Sequence, residues 1–133
     1  MIVYLDTAIV IYIVENPPTF GAKATNRITT LRAAGDTFAV TELVRMECLV
    51  GPFKSGMTAR LSDFAAFFSA TDLQVLPITT AVAERAAQIR AVHNFRALDA
   101  LHLAAGAEQG CGLFLTNDAR LSAFPVMPVE ILT

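Results

Sequence analysis

The sequence predicts a single α/β domain over residues 1–133, a three-layer α/β/α arrangement around a central, mainly parallel sheet of about five strands. Three observations lead there. Short apolar runs alternate along the chain with longer, alanine-rich stretches, which is the pattern of repeated strand and helix units. The short runs lack the polar alternate positions of a sheet with one wet face, so helices are expected to cover both faces. A chain of 133 residues is also long enough to bury one sizeable core without disulfide or metal staples.

The elements follow in order. Ile2–Leu5 is the first strand, and Asp6 or Thr7 can cap a helix after it. Residues 22–34 read as a helix closed by Gly35, a natural C′ residue. The second strand is 37–40. A helix over 42–50 is expected to break at Gly51-Pro52 and Gly56 before another over 58–70. Leu73–Leu76 is the third strand, and 80–93 is an amphipathic helix with Arg85 and Arg90 on its polar side. The helix Ala97–Glu108 stops at Gly110. Strand 112–116 then leads to a turn at 119–121 that Asn117 or Asp118 can cap, and 129–132 is the last strand.

Composition narrows the function. The chain is 54% hydrophobic and 17% charged, with mean hydropathy +0.52, against about 25% charged in an ordinary soluble domain. So few charges predict an apolar patch covered by a second chain, and hence an oligomer or a tight protein complex. Ten Lys and Arg against twelve Asp and Glu give a formal charge of −2. No global basic field therefore marks a nucleic-acid binder, and such a partner has to be argued locally. Cys48 and Cys111 form no Cys-x-x-Cys and have no neighbouring histidine, which fits neither a disulfide framework nor a zinc site, and a reducing cytoplasm is expected. The first fourteen residues look superficially like a secretion signal, but they lack a basic start, carry Asp6 and run into Glu15 and Pro17-Pro18. Their uninterrupted apolar run, Ala8 to Val14, is far shorter than the ~20 residues of a membrane span.

Four carboxylates stand where a carboxylate is costly. Asp6 ends the first strand. Glu47 lies mid-helix among Leu43, Val44 and Val50. Asp99 falls in the first turn of Ala97–Glu108, and Asp118 follows the strand that ends Leu-Thr-Asn. Caps or helix-dipole partners account for three of them taken singly, but no cap explains Glu47, and an unpaired buried carboxylate is expensive. Glu42 competes for its role. Five residues of helix separate the two, a rotation of about 140°, so both cannot face one site, and Glu42 reads as a solvent or capping acid. Ligands of open parallel sheets bind outside the carboxyl ends of the strands, where the fold can gather all four acids. Like charges so gathered are kept ionised most cheaply by a divalent cation, and oxygen-only ligands favour Mg²⁺ or Mn²⁺ over zinc.

The stretches Tyr4-Leu5-Asp6-Thr7, Thr41-Glu42-Leu43-Val44-Arg45-Met46-Glu47, Leu98-Asp99-Ala100-Leu101-His102-Leu103-Ala104-Ala105 and Leu115-Thr116-Asn117-Asp118 resemble, in order and spacing, the PIN domain. Length and layout look like the VapC-type toxins of toxin–antitoxin pairs. The resemblance covers essentially the whole chain and implies an Mg²⁺- or Mn²⁺-dependent ribonuclease, with Asp6, Glu47, Asp99 and Asp118 as the acidic, metal-binding set. It implies Thr116 as a hydroxyl supporting a carboxylate or a metal-bound water. It also implies an RNA substrate, a cognate VapB-like antitoxin, a homodimer and no membrane. The chain departs from the family pattern at Ala8, where an asparagine often follows the Asp-Thr pair. The departure removes an amide from the site and leaves the acids intact.

Other residues divide between roles. His102 shares a helix face with Asp99 and is read as a packed or supporting residue rather than a catalytic base, and His93 as structural. Arg85, Arg90, Arg96, Lys23, Arg27 and Arg32 are either RNA phosphate contacts or solvated helix faces. Phe64, Phe67 and Phe68 read as core or partner surface. Two other functions remain: a PIN scaffold that only binds, and a receiver-like phosphoacceptor. The second is weakened because the two lysines, Lys23 and Lys54, fall in or after helices. Setting the four acids aside leaves eight acidic against ten basic residues, so the remainder of the chain carries +2.

Overall fold

The computed structural model describes residues 1–133. Five strands, β1 (Ile2–Leu5), β2 (Thr37–Thr41), β3 (Leu73–Leu76), β4 (Leu113–Thr116) and β5 (Val129–Ile131), form one sheet in the order β3-β2-β1-β4-β5. Every pairing is parallel, with Leu5 beside Leu115 and Tyr4 beside Ala39 in register. Six helices are α1 (Thr7–Glu15), α2 (Phe20–Ala33), α3 (Glu42–Ser55), α4 (Thr58–Phe68), α5 (Thr80–Val92) and α6 (Ala97–Glu108). Helices α1 to α4 pack together, and α5 and α6 pair separately, giving the three layers expected. No helix is long and apolar enough to cross a membrane.

The core accounts for the strand runs. Val3, Tyr4, Leu5, Phe114 and Leu115 are essentially inaccessible, with Ile9 and Val10 of α1 on one side and Leu103 and Ala104 of α6 on the other. Cys48 and Cys111 are free and buried, and burial pushes their thiols up to about 12 and about 11. Gly35 and Gly110 adopt the positive φ expected of residues that follow helices.

Three local readings change. Helix α3 does not break at Gly51-Pro52 but runs to Ser55, with Pro52 buried inside it. The proline lacks the N–H that would bond one carbonyl of the preceding turn, a small loss against burying its ring, and the αL residue Gly56 ends the helix instead. Helix α2 begins earlier than expected, at Phe20. Strand β3 is exposed on both faces at Gln74 and Val75, because it is an edge strand paired only with β2.

Candidate active site

The strand order reverses at β1, between β2 on one side and β4 on the other, and a crevice opens there at the carboxyl ends of the strands. The sequence delivers carboxylates to it from four places. Asp6 leaves β1 and caps α1, its Oδ1 accepting the Thr7 N–H at 2.9 Å. Asp118 leaves β4 and caps the 3-10 turn Ala119–Ala123. Asp99 sits in the first turn of α6, and Glu47 in the second turn of α3. Asp6, Glu47, Asp99 and Asp118 line one cleft with Thr7, Ala8, Ile11, Arg96, His102 and Asn117. Glu42 stays outside it, exposed and bonded to Arg45 at 2.7 Å.

Each acid is held differently. Thr116 donates its hydroxyl to Asp6 Oδ2 at 2.6 Å and accepts the Asp118 N–H at 3.1 Å, tying the two strand ends together. Burial outweighs these bonds and raises the Asp6 carboxyl above its ordinary range. Glu47 is held below the carboxylate range, first by its hydrogen bond with His102 and further by one from Thr7. Both bonds end on Oε1, at 2.7 and 2.8 Å. Arg120 donates through Nε and Nη2 to the Asp118 carboxylate and depresses its pKa. Asp99 is bonded by Arg96 Nε at 3.1 Å, with Arg120 Nη2 at 3.5 Å.

These guanidinium contacts bear on metal binding. No group of three or more His, Cys, Asp or Glu side chains is arranged to hold an ion, and Asp99 and Asp118 are bonded to the two arginines. The donor chemistry nevertheless fits a hard divalent cation, with oxygen ligands only and a desolvated carboxylate, Asp6, at the base. Arg120 is more than half exposed, so moving it off Asp118 disturbs no packing.

Sequence reasoning misses several cleft residues. It does not single out Arg120, although an Asp-x-Arg step after a strand is visible, and reading Arg96 as a possible phosphate contact does not anticipate its pairing with Asp99. Asn117 supplies an amide at the cleft, its Nδ2 donating to Tyr12 Oη at 2.6 Å. Of the other basic candidates, Arg27, Arg32 and Arg85 are tied to Glu130, Asp72 and Glu108, Arg90 bonds the Phe95 carbonyl, and Lys23 lies over the Phe20 ring; Arg96 and Arg120 are the guanidiniums that meet the cleft acids Asp99 and Asp118. Phe64 and Phe68 are core residues.

The family model of the PIN domain matches residues 3–126. Comparison with curated protein sequences finds no match. Among solved structures, the chain is similar to VapBC2 from Rickettsia felis bound to a promoter DNA fragment, at TM-score 0.83 and 20% identity over 100% of both chains. It is similar to DNA-bound VapBC from Salmonella typhimurium at TM-score 0.80 and 21% identity, over 100% of this chain and 99% of that one. Mycobacterium tuberculosis VapC20, described as a Sarcin-Ricin loop cleaving toxin, matches at TM-score 0.74 and 19% identity, over 96% of this chain and 98% of the other. At these identities the structural likeness speaks to the fold, while the family match spans nearly the whole sequence, and the chain belongs to the PIN domain family.

Proposed function

We propose that this chain is a divalent-metal-dependent endoribonuclease and the toxin of a toxin–antitoxin pair. One observation carries the reading: four carboxylates from four separate elements line a single cleft at the point where the strand order reverses. Family membership and the neighbouring toxin–antitoxin structures support it, as does the RNA cleavage named for the mycobacterial neighbour. Asp6, Glu47, Asp99 and Asp118 would hold Mg²⁺ or Mn²⁺. Such a cation supplies Lewis-acid activation of the attacking water and neutralises charge at the scissile phosphate. The chain's own residues do the rest. Thr116 and the Thr7 N–H orient Asp6, and Thr7 holds one oxygen of Glu47. Arg96 and Arg120, released from Asp99 and Asp118, present guanidiniums to the RNA phosphates, a pairing that suits their planar geometry.

The partners follow from the same reading: an RNA substrate, a VapB-like antitoxin and a second copy of the chain, acting in the cytoplasm. Exposed Met46, Val50, Phe53 and Met57 on and after α3 give a covering chain apolar surface to bury. The test is cleavage of labelled RNA in Mg²⁺ or Mn²⁺ by the wild type and by Asp6→Asn and Asp99→Asn. The wild type cuts and both variants lose most of that activity, whereas undiminished cleavage by either variant removes the acidic set from the mechanism. The contacts of Arg96 and Arg120 with the acids, together with Ala8, favour a second reading, a PIN scaffold that only binds. Titration with Mn²⁺ separates the two: a binding-only scaffold takes up no ion and cuts no RNA.

A further inference from the structure

We propose that Tyr4 and His102 are positioning residues for Glu47, forming a buried chain of hydrogen bonds that fixes one of its oxygens and leaves the other directed to the cleft. The catalytic consequence rests on the nuclease reading, and the geometry does not. His102, in the middle of α6, is 3% exposed, and its Nε2 stands 2.7 Å from Glu47 Oε1. Its Nδ1 lies 2.7 Å from Tyr4 Oη, which in turn lies 3.0 Å from Thr41 Oγ1. Tyr4 and Thr41 are fully buried. The Tyr4 ring is clamped by stacking on Phe114, centroids 5.0 Å apart. Helix α6 lies directly on it, a Cβ at Gly106 falling 3.5 Å from Tyr4, at ordinary contact distance.

Proton accounting gives the chain a direction. If Thr41 donates to Tyr4 and Tyr4 donates to Nδ1, the imidazole carries its proton on Nε2 and donates it in a hydrogen bond to the Glu47 carboxylate. Every buried proton then has an acceptor. With the Tyr4 hydroxyl turned the other way, toward Thr41, the Thr41 hydroxyl proton is left without one, which is costly at a fully buried site. Thr7 also donates to Oε1, so that oxygen takes two donors while Oε2 takes none from the protein. A Phe and a Leu would fill the same space in this apolar core without any polar group to satisfy. Tyr4, His102 and Thr41 are satisfied only through one another and through Glu47, which is the arrangement expected of groups that orient a ligand from behind.

The test uses the full chain with Tyr4→Phe, His102→Leu and His102→Gln, the last keeping an N–H donor near the position of Nε2. Mn²⁺ affinity is read by electron paramagnetic resonance without RNA, kcat and KM are read on RNA, and the ring tautomer is read by ¹⁵N NMR of His102. His102→Leu is expected to weaken Mn²⁺ binding by about 10-fold or more and to lower kcat with little change in KM. His102→Gln restores much of both, and Tyr4→Phe falls between. Leu103→Val, a comparably buried change on the same helix, leaves Mn²⁺ affinity unchanged. Wild-type affinity and kcat in folded His102→Leu overturn the proposal, and so does a ring protonated on Nδ1. Where His102→Leu fails to fold, Tyr4→Phe and His102→Gln decide. Should the wild type neither bind Mn²⁺ nor cut RNA, the nuclease reading fails, and the ring spectrum alone decides the relay: an Nε2 proton whose tautomer is lost in Tyr4→Phe supports it, and a ring indifferent to Tyr4 overturns it.

Discussion

Asp6→Asn separates what the site needs from what the fold prefers. In the metal-free protein the substitution keeps the shape of residue 6 and the bond from the Thr7 N–H to Oδ1, but the new amide meets the Thr116 hydroxyl oxygen and leaves the hydroxyl proton without its acceptor. One charge-assisted bond becomes a neutral one, a loss of about 1 kcal/mol, and the orphaned proton costs about 1–3 kcal/mol at a fully buried threonine. A helix N-terminus also loses a negative charge, at about 0.3–1 kcal/mol. Against this, the desolvation of a carboxylate, several kcal/mol for a well-buried ion, is removed along with its repulsion of Glu47. Burial is the largest influence on Asp6 and raises its pKa, so the gain offsets these losses. The two stabilities are then expected to agree within about 1 kcal/mol, or about 3–5 °C in Tm for a domain of this size. Thermal unfolding in EDTA should show the Asp6→Asn variant melting within about 5 °C of the wild type. In excess Mn²⁺ the wild type becomes the more stable by a wider margin, because ligand binding stabilises only the chain that can bind. A variant that melts about 10 °C or more below the wild type in EDTA would refute the reasoning and make the Asp6 charge a structural asset.

Arg120→Ala removes an exposed guanidinium that competes for Asp118 and Asp99. Mn²⁺ binding measured by calorimetry at low salt should tighten, while RNA binding by a catalytically silent Asp99→Asn background weakens. The pH dependence of stability in EDTA has two opposed parts. Glu47 and Asp118 have lowered folded pKa values, so their contribution is present at neutral pH and is lost as pH falls through those values. Asp6 has a raised one, so its contribution is present in acid and is lost as pH rises through its folded value. Urea midpoints followed across this range should fall on acidification in the wild type, and fall less steeply in Glu47→Gln.

Much of this was legible in the sequence for definite physical reasons. A fully buried parallel strand has no polar alternation to confuse it, so β1 and β4 stand out as apolar runs, and the acids that end them mark the cleft. Helical rotation sets Glu42 and Glu47 on different faces, and the place of Glu42 at the helix start, where a cap explains it, singles out Glu47. Helix α1 was harder to read because its Ile and Val residues suit a strand as well as a buried helix, and only Asp6 or Thr7 as a cap signalled it. Pro52 misled because proline is disfavoured inside helices in general, yet burial and the loss of a single hydrogen bond make it tolerable near the end of α3. The Arg96–Asp99 and Arg120–Asp118 contacts are local in sequence and went unread only because arginines beside acids are common on helix faces, whereas Tyr4 and His102 lie 98 positions apart and only the packing of α6 on β1 brings them together.

The central claim is that the acidic cleft cuts RNA with a divalent cation, and a single titration tests it most directly. Wild-type protein is stripped with EDTA, dialysed, and assayed on labelled RNA as Mn²⁺ is added back. No cleavage is expected without metal, and the rate is expected to rise and saturate with Mn²⁺. Cleavage that persists at full rate in EDTA, or none at any Mn²⁺ concentration, contradicts it.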